Sequence, residues 1–177
     1  MLSTVTEDFC RIMSCARFFA KQGKQVVLPP KLDVPYKNPA YDMIFGTLRG
    51  TPYHGKCPDL IIDNQGYEHE GYVTENQKHA IKNMLKHGLS QSDRIIIDKV
   101  KLTENYVKAR IKGKVHEGKR VTEVWIRDGE NLRLVYKNTN DQPIKMNWPP
   151  AAESAESTLQ KYTFFNMQTF FDFFIAR

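Results

Sequence analysis

The sequence lacks the features of several large protein classes. Its 177 residues include only three cysteines, Cys10, Cys15 and Cys57, and none is in a CxxC pair. This excludes a disulfide framework and a paired-cysteine zinc site, and we expect reduced thiols and a cytoplasmic location. No secretory signal opens the chain, and no apolar run approaches the roughly 20 residues that span a bilayer, so we expect no membrane span. The HExxH, P-loop, GxSxG and GxGxxG motifs are also absent, which argues against the enzyme classes that carry them.

What is present is typical of one globular domain. The chain is 41% hydrophobic and 26% charged, its formal net charge is +6, and its pI is near 9.2. A domain of this size can bury a substantial core. The basic balance indicates an anionic partner, either nucleic acid or a membrane surface.

Apolar periodicity and turn residues predict an α/β fold with a mixed central sheet flanked by helices. Gly23 and Gly88 are expected to end the first two long helices, and Thr103 to cap the third. We expect residues 1–137 to form one domain, and residues 138–177 a linker and an aromatic tail. The predicted helices cover residues 5–23, 75–88 and 103–115, and the predicted strands cover 25–28, 59–63, 67–73, 94–98, 122–127 and 132–137.

A cluster of acidic residues falls on the predicted hairpin between residues 59 and 73. Strand alternation places Glu68 and Glu70 on one face and His69 on the other. Asp59 begins the paired strand and can approach Glu68 and Glu70 across the hairpin. Three converging carboxylates suit a hard divalent cation, so the sequence predicts a Mg²⁺ or Mn²⁺ site on Asp59, Glu68 and Glu70. The competing interpretation is a solvated edge strand.

This pattern resembles the PD-(D/E)XK nuclease superfamily. Pro58-Asp59 is followed, after eight residues, by Glu68-His69-Glu70 on the second strand of a hairpin. The surrounding elements are similar to the αβββαβ core of that superfamily. Within it, the chain looks most like the toxin-like tRNA nucleases of contact-dependent inhibition systems and related bacterial mobile-element proteins. The resemblance there lies in the segment from Gly88 to Arg94, ahead of an isoleucine-rich strand.

The resemblance implies an Mg²⁺- or Mn²⁺-dependent endonuclease and assigns further residues to its site. Glu7 matches an extra helix carboxylate, and Gln91 is expected to touch the site or the substrate. Glu70 departs from the pattern because the family usually has lysine there. We expect Lys78 or Lys56 to supply that charge; alternatively, the site is inactive.

The second half of the chain carries a concentration of positive charge. Residues 99–120 contain eight Lys and Arg against two Glu, a difference of +6. Such a segment can hold a phosphate backbone without reading bases. The alternative is an ordinary solvated helix face. The predicted nucleic-acid contacts are Lys101, Lys108, Arg110, Lys112, Lys114, Lys119 and Arg120.

The sequence therefore predicts a metal-dependent nuclease, with RNA, tRNA included, favoured over DNA as substrate. A catalytically inactive nucleic-acid-binding or mobile-element accessory protein is the main alternative. A metal-free ribonuclease using His54 or His69 with Lys56 is a further one. A protein partner is also expected at the aromatic tail, which contains Phe164, Phe165, Phe170, Phe171, Phe173 and Phe174.

Overall fold

A computed structural model of the chain describes residues 2–32, 35–71, 77–98 and 103–139, without the side chains of residues 2–6, 36, 77 and 78. The helices are α1 (Leu2–Lys21), α2 (Tyr41–Phe45), α3 (Gln77–Gln91) and α4 (Glu104–His116), with 3₁₀ turns at Pro35–Lys37 and Gly46–Leu48. The strands are β1 (Val26–Val27), β2 (Leu60–Ile62), β3 (Gln65–Glu70), β4 (Arg94–Asp98), β5 (Glu123–Asp128) and β6 (Asn131–Lys137).

The six strands form one mixed sheet whose spatial order is the chain order, β1-β2-β3-β4-β5-β6. The β1–β2, β2–β3 and β5–β6 pairs are antiparallel, whereas β3–β4 and β4–β5 are parallel. Each parallel step is made by a crossover helix, α3 or α4, as parallel pairing requires. The expected mixed central sheet flanked by helices is confirmed.

Two apolar layers cover the sheet. On one face, Cys15, Ala16 and Phe19 of α1 pack against Tyr67 and Ile96. On the other, α3 and α4 pack against the outward-alternating residues of the central strands, among them Ile95, Ile97, Val124 and Ile126. The three isoleucines of β4 are fully buried, as expected of a central parallel strand covered on both faces.

Two helix boundaries differ from the sequence prediction. The first helix already begins at Leu2, so Glu7 and Asp8 lie in its second turn rather than its first. The second long helix does not end at Gly88 but continues to Gln91. A Cβ at Gly88 would lie 2.8 Å from Ile95 Cγ2 and 3.2 Å from Glu70 Cγ. The glycine therefore brings α3 close to the sheet instead of terminating the helix.

The hairpin turn also lies earlier than expected. Asp63 and Asn64, not residues 64–66, form the two-residue connection, and both have positive φ, at 47° and 63°. Positive φ at both central positions is the geometry of the tight turns that join twisted antiparallel strands. The register that follows pairs Leu60 with Tyr67 and Ile62 with Gln65.

Several sequence predictions lie outside the described residues. They concern the start of the α3 helix at residues 74–76, the Lys78 side chain, Lys101 and the aromatic tail. The boundary between the predicted domain and the linker stays a prediction. None of the described helices has the length and apolar character needed to cross a bilayer.

Candidate functional site

The hairpin brings Asp59 and Glu68 into direct contact. The Asp59 backbone N–H donates to Glu68 Oε2 at 3.2 Å, and Asp59 Oδ2 accepts from the His69 backbone N–H at 3.0 Å. Gly66 makes this approach possible, because a Cβ there would lie 2.8 Å from Pro58 Cγ. The proline ring packs onto the bare backbone of Gly66, and Asp59 follows it opposite Glu68.

Glu68 and Glu70 share one face of β3, and His69 lies on the other. Glu70 packs beside Gly88 of α3, whereas the His69 ring reaches Asp98 on the α1 side, with Nε2 3.1 Å from Oδ1. Asp59, Glu68 and Glu70 thus form the acidic site, a name used below for these three residues. His69 contributes its backbone N–H to this site but not its imidazole.

An unexpected lysine lies at the acidic site. Lys31 Nζ is 2.8 Å from Asp59 Oδ1 and 2.9 Å from the carbonyl oxygen of Cys57. The Asp59 side chain is only 10% exposed, while that of Lys31 is 63% exposed. Burial by itself would lower the pKa of Lys31, but the charges of Glu68 and Asp59 outweigh it and raise that pKa. Lys31 is therefore a charged ammonium whose outer side is open to solvent.

The two glutamates are strongly perturbed. Burial, followed by the negative charge of Asp59, raises the pKa of Glu68 to about 8 and that of Glu70 to about 7. Lys31 opposes both shifts but does not cancel them. Carboxyl groups crowded in a low-dielectric site resist ionisation unless more positive charge arrives. At neutral pH the raised pKa values therefore keep Glu68 largely protonated and Glu70 about half protonated, and a bound cation would favour their ionised forms.

The donor chemistry of the acidic site fits a hard divalent cation. It offers carboxylate oxygens alone, the ligands that Mg²⁺ and Mn²⁺ prefer. Among the described residues, no hydrogen bond reaches the Glu70 carboxylate, which leaves both of its oxygens available. Within the same part of the chain, however, no three acidic, His or Cys side chains are already arranged as metal ligands. The metal site stays a prediction that rests on donor type and charge.

The remaining predicted site residues are placed differently. Glu7 is exposed and pairs with Arg11 at 3.3 Å, on the α1 side of the sheet, whereas Glu68 and Glu70 face α3. Gln91 ends α3 and, in the described residues, makes no hydrogen bond to the acidic site; its neighbour Ser92 donates to the Gly66 carbonyl at 2.7 Å. Lys56 is half-buried, and the described contacts include no ion pair between it and the acidic site. Lys31, which the sequence did not indicate, contacts the acidic site; the expected role of Lys78 concerns a side chain outside the described residues and stays a prediction.

A buried network of polar side chains stabilises β3 on the α1 side of the sheet, opposite the face that bears Glu68 and Glu70. Asp98, at the end of β4, accepts from Arg127 Nε at 2.5 Å and lies beside the His69 ring. Burial would raise the pKa of Asp98, but these two partners outweigh it and lower that pKa. Arg11 adds a longer contact at 3.5 Å. Since the His69 backbone also holds Asp59, this network fixes the strand on which the acidic site is built.

The basic residues of α4 are less available than their number predicts. Lys108 pairs with Glu104 at 2.7 Å and Lys114 with Glu117 at 2.6 Å. Beyond the helix, Arg120 Nε lies 2.8 Å from Asp93 Oδ2. Among the other three described members, Arg110 lies over the ring of Tyr106 at 4.8 Å, and Lys112 and Lys119 are exposed. No ion pair involves these three within the described residues.

Sequence reasoning missed Lys31 because nothing local marks it. It follows Pro29-Pro30 in a segment without periodicity, and it reaches Asp59 only through the β1–β2 pairing that folds residues 26–32 back beside residues 57–62. Asp98 carried a weak signal as an acidic residue that ends a run of isoleucines. Such a residue needs a partner when it is buried.

Comparisons with known proteins give little beyond this geometry. No protein-family model matches the chain, and no curated protein matches it. Among solved structures, a CdiA-CT/CdiI toxin and immunity complex from Burkholderia pseudomallei is similar with a TM-score of 0.49 and 18% sequence identity. The similarity covers 76% of this chain and 88% of that chain.

Proposed function

We propose that the protein is a metal-dependent nuclease that hydrolyses phosphodiester bonds at the acidic site. The observation that carries the proposal is the convergence of Asp59, Glu68 and Glu70 on one face of a hairpin, with the pKa values of both glutamates raised to about 8 and about 7. Strongly perturbed carboxyl groups beside a specific charge partner are typical of functional sites. The resemblance to PD-(D/E)XK nucleases supports the reaction class and favours RNA over DNA.

Four residues have distinct roles in the proposed hydrolysis. Asp59 and Glu68 would hold Mg²⁺ or Mn²⁺. Glu70 would be a further ligand or, where it does not bind the metal, would orient an attacking water and accept its proton with a pKa of about 7. Lys31 supplies the positive charge that the family's lysine usually gives, since its exposed ammonium can meet a phosphate oxygen. When bound, the metal ion would polarise the phosphate and neutralise its developing charge.

Calorimetric titration of Mn²⁺ into wild type and Asp59→Asn, beside a cleavage assay on RNA and DNA, tests the proposal. Wild type should bind and cleave, and Asp59→Asn should lose both activities. Asp63→Asn is a matched control, because Asp63 lies on the same hairpin and pairs with Lys24 at 2.7 Å, but is exposed at the turn. A wild-type protein that binds no Mn²⁺ would refute the metal-dependent mechanism.

One observation favours an inactive nucleic-acid-binding protein instead. Glu70 stands where the family usually has lysine, and Lys31 already neutralises part of the acidic site without any metal. In that case wild type would bind nucleic acid, and Asp59→Asn would leave the binding unchanged. Cleavage by wild type that Asp59→Asn abolishes would exclude this alternative.

A further inference from the structure

The outer surface of α3 carries positive charge without any acidic residue. Between Gln77 and Gln91 the helix contains three lysines and two histidines, and neither Asp nor Glu. Its buried side, including Ile81, Leu85 and Leu89, packs on the sheet. The opposite side is exposed to solvent and presents His79, Lys82, Asn83, Lys86 and His87. These five residues are called the α3 face below.

The charges of the α3 face are not neutralised locally. Within the described residues, neither Lys82 nor Lys86 has a carboxylate at ion-pair distance, in contrast to Lys108 and Lys114 of α4. Lys82 lies close enough to Glu117 to affect its pKa, which is lowered first by Lys114 and further by Lys82 and Lys119. One carboxylate therefore faces three lysines where α3 meets the end of α4. A local excess of positive charge remains.

The spacing of the α3 face suits a phosphate backbone. Lys82 and Lys86 are four residues apart, so they lie on the same side of the helix and about 6 Å apart along its axis. Asn83 and the two histidines add hydrogen-bond donors between and beside them. Lysine, asparagine and similar side chains supply the sequence-independent contacts that position a nucleic-acid strand.

The α3 face and the acidic site lie on opposite sides of the α3 helix. Gly88 packs directly against the Glu70 side chain, so α3 covers the sheet face to which Glu70 points. A strand held on the outer side of α3 would lie within about one helix diameter, roughly 10 Å, of that face. The α3 helix therefore separates the α3 face from the acidic site by about this distance.

We propose that the α3 face, rather than α4, is the principal surface that holds the phosphate backbone of a nucleic acid. The inference rests on the proposed function for the identity of the polyanion, but it concerns binding and not hydrolysis. It moves the predicted nucleic-acid contact from α4, where Lys108 and Lys114 are paired, to α3, where Lys82 and Lys86 have no ion pair within the described residues.

Fluorescence anisotropy with short fluorescein-labelled single-stranded RNA and DNA, in EDTA to prevent cleavage, tests the proposal. The double variant Lys82→Gln/Lys86→Gln should bind roughly tenfold more weakly at low salt. The slope of log affinity against log salt should become shallower by about 1.4, because each phosphate contact on a single strand contributes about 0.7. Arg110→Gln/Lys112→Gln removes the same charge from the α4 positions that have no ion pair within the described residues, and it should change the slope by much less.

The outcomes separate this proposal from the proposed function. Equal effects of the two double variants would overturn the assignment to α3, as would a larger effect of the α4 variant. Wild type that binds an acidic protein but neither oligonucleotide would overturn it too. Mn²⁺ binding and cleavage by wild type would still stand in the first two cases. Conversely, nucleic-acid binding that depends on Lys82 and Lys86, without any cleavage, would support the proposed role of the α3 face and refute the proposed nuclease activity. Thermal unfolding of each variant checks that the fold is intact.

Discussion

Glu68→Gln should change the pH dependence of stability in the metal-free protein. In wild type, burial and the charge of Asp59 raise the pKa of Glu68 from 4.5 to about 8. A raised carboxyl pKa means that the folded state binds more protons than the unfolded state, so stability falls as pH rises from 4.5 to 8. At about 1.4 kcal/mol per pH unit, Glu68 alone costs about 5 kcal/mol across this window. Glutamine carries no such charge and removes the cost.

Urea denaturation in EDTA at several pH values between 5 and 8.5 measures the effect. Wild type should lose stability steadily over this range. Glu68→Gln should lose less, and its remaining loss should end about one pH unit above the Glu70 pKa of about 7, where Glu70 has completed its own titration. Asp63→Asn is the matched control and should follow wild type, because the Asp63 pKa is lowered by Lys24 and titrates in acid. Identical slopes for Glu68→Gln and wild type would refute the reasoning.

Three further substitutions test other parts of the structure. Asp98→Asn should cost about 3 to 5 kcal/mol in urea denaturation at pH 7, since it leaves the Arg127 guanidinium, only 14% exposed, without its counter-charge. Gly88→Ala should cost about 1 to 3 kcal/mol, because the added methyl would lie 2.8 Å from Ile95 Cγ2; a neutral result would show that α3 can move outward. Lys31→Met should tighten Mn²⁺ binding severalfold in calorimetry, because Lys31 neutralises part of the acidic site, and it should slow cleavage, because the ammonium that meets the phosphate is lost. Binding and cleavage that both improve or both weaken would contradict these two roles.

The elements of the fold could be predicted from the sequence where the local residue pattern and the need for burial indicated the same structure. Strand β4 was predicted with its observed bounds, because three isoleucines need cover on both faces. Thr103 caps α4 as expected, and its hydroxyl accepts from the Tyr106 backbone N–H at 3.3 Å. Gly88 misled the prediction because glycine also serves for close packing, and only the tertiary contact with Ile95 distinguishes the two uses.

Part of the acidic site could also be predicted from the sequence. Strand alternation is a local rule, so it placed Glu68 and Glu70 on one face and His69 on the other. Asp59 joined them through the hairpin register. Lys31 could not be foreseen, because its contact with Asp59 depends on a loop that no periodic pattern constrains. The charge count of residues 99–120 included Glu104 and Glu117 but did not show that they pair with Lys108 and Lys114.

The order of the strands has a consequence for how the chain folds. Because β1 to β6 are neighbours in space in the same order as in sequence, every ladder joins strands that are consecutive in the chain, and only the β1–β2 connection, which contains α2, is longer than one turn, loop or helix. No strand has to enter between two that are already paired. Short sequence separation between partners lowers the entropy lost before contacts form, which favours rapid folding for a mixed sheet. The sheet can therefore grow by successive addition at an open edge.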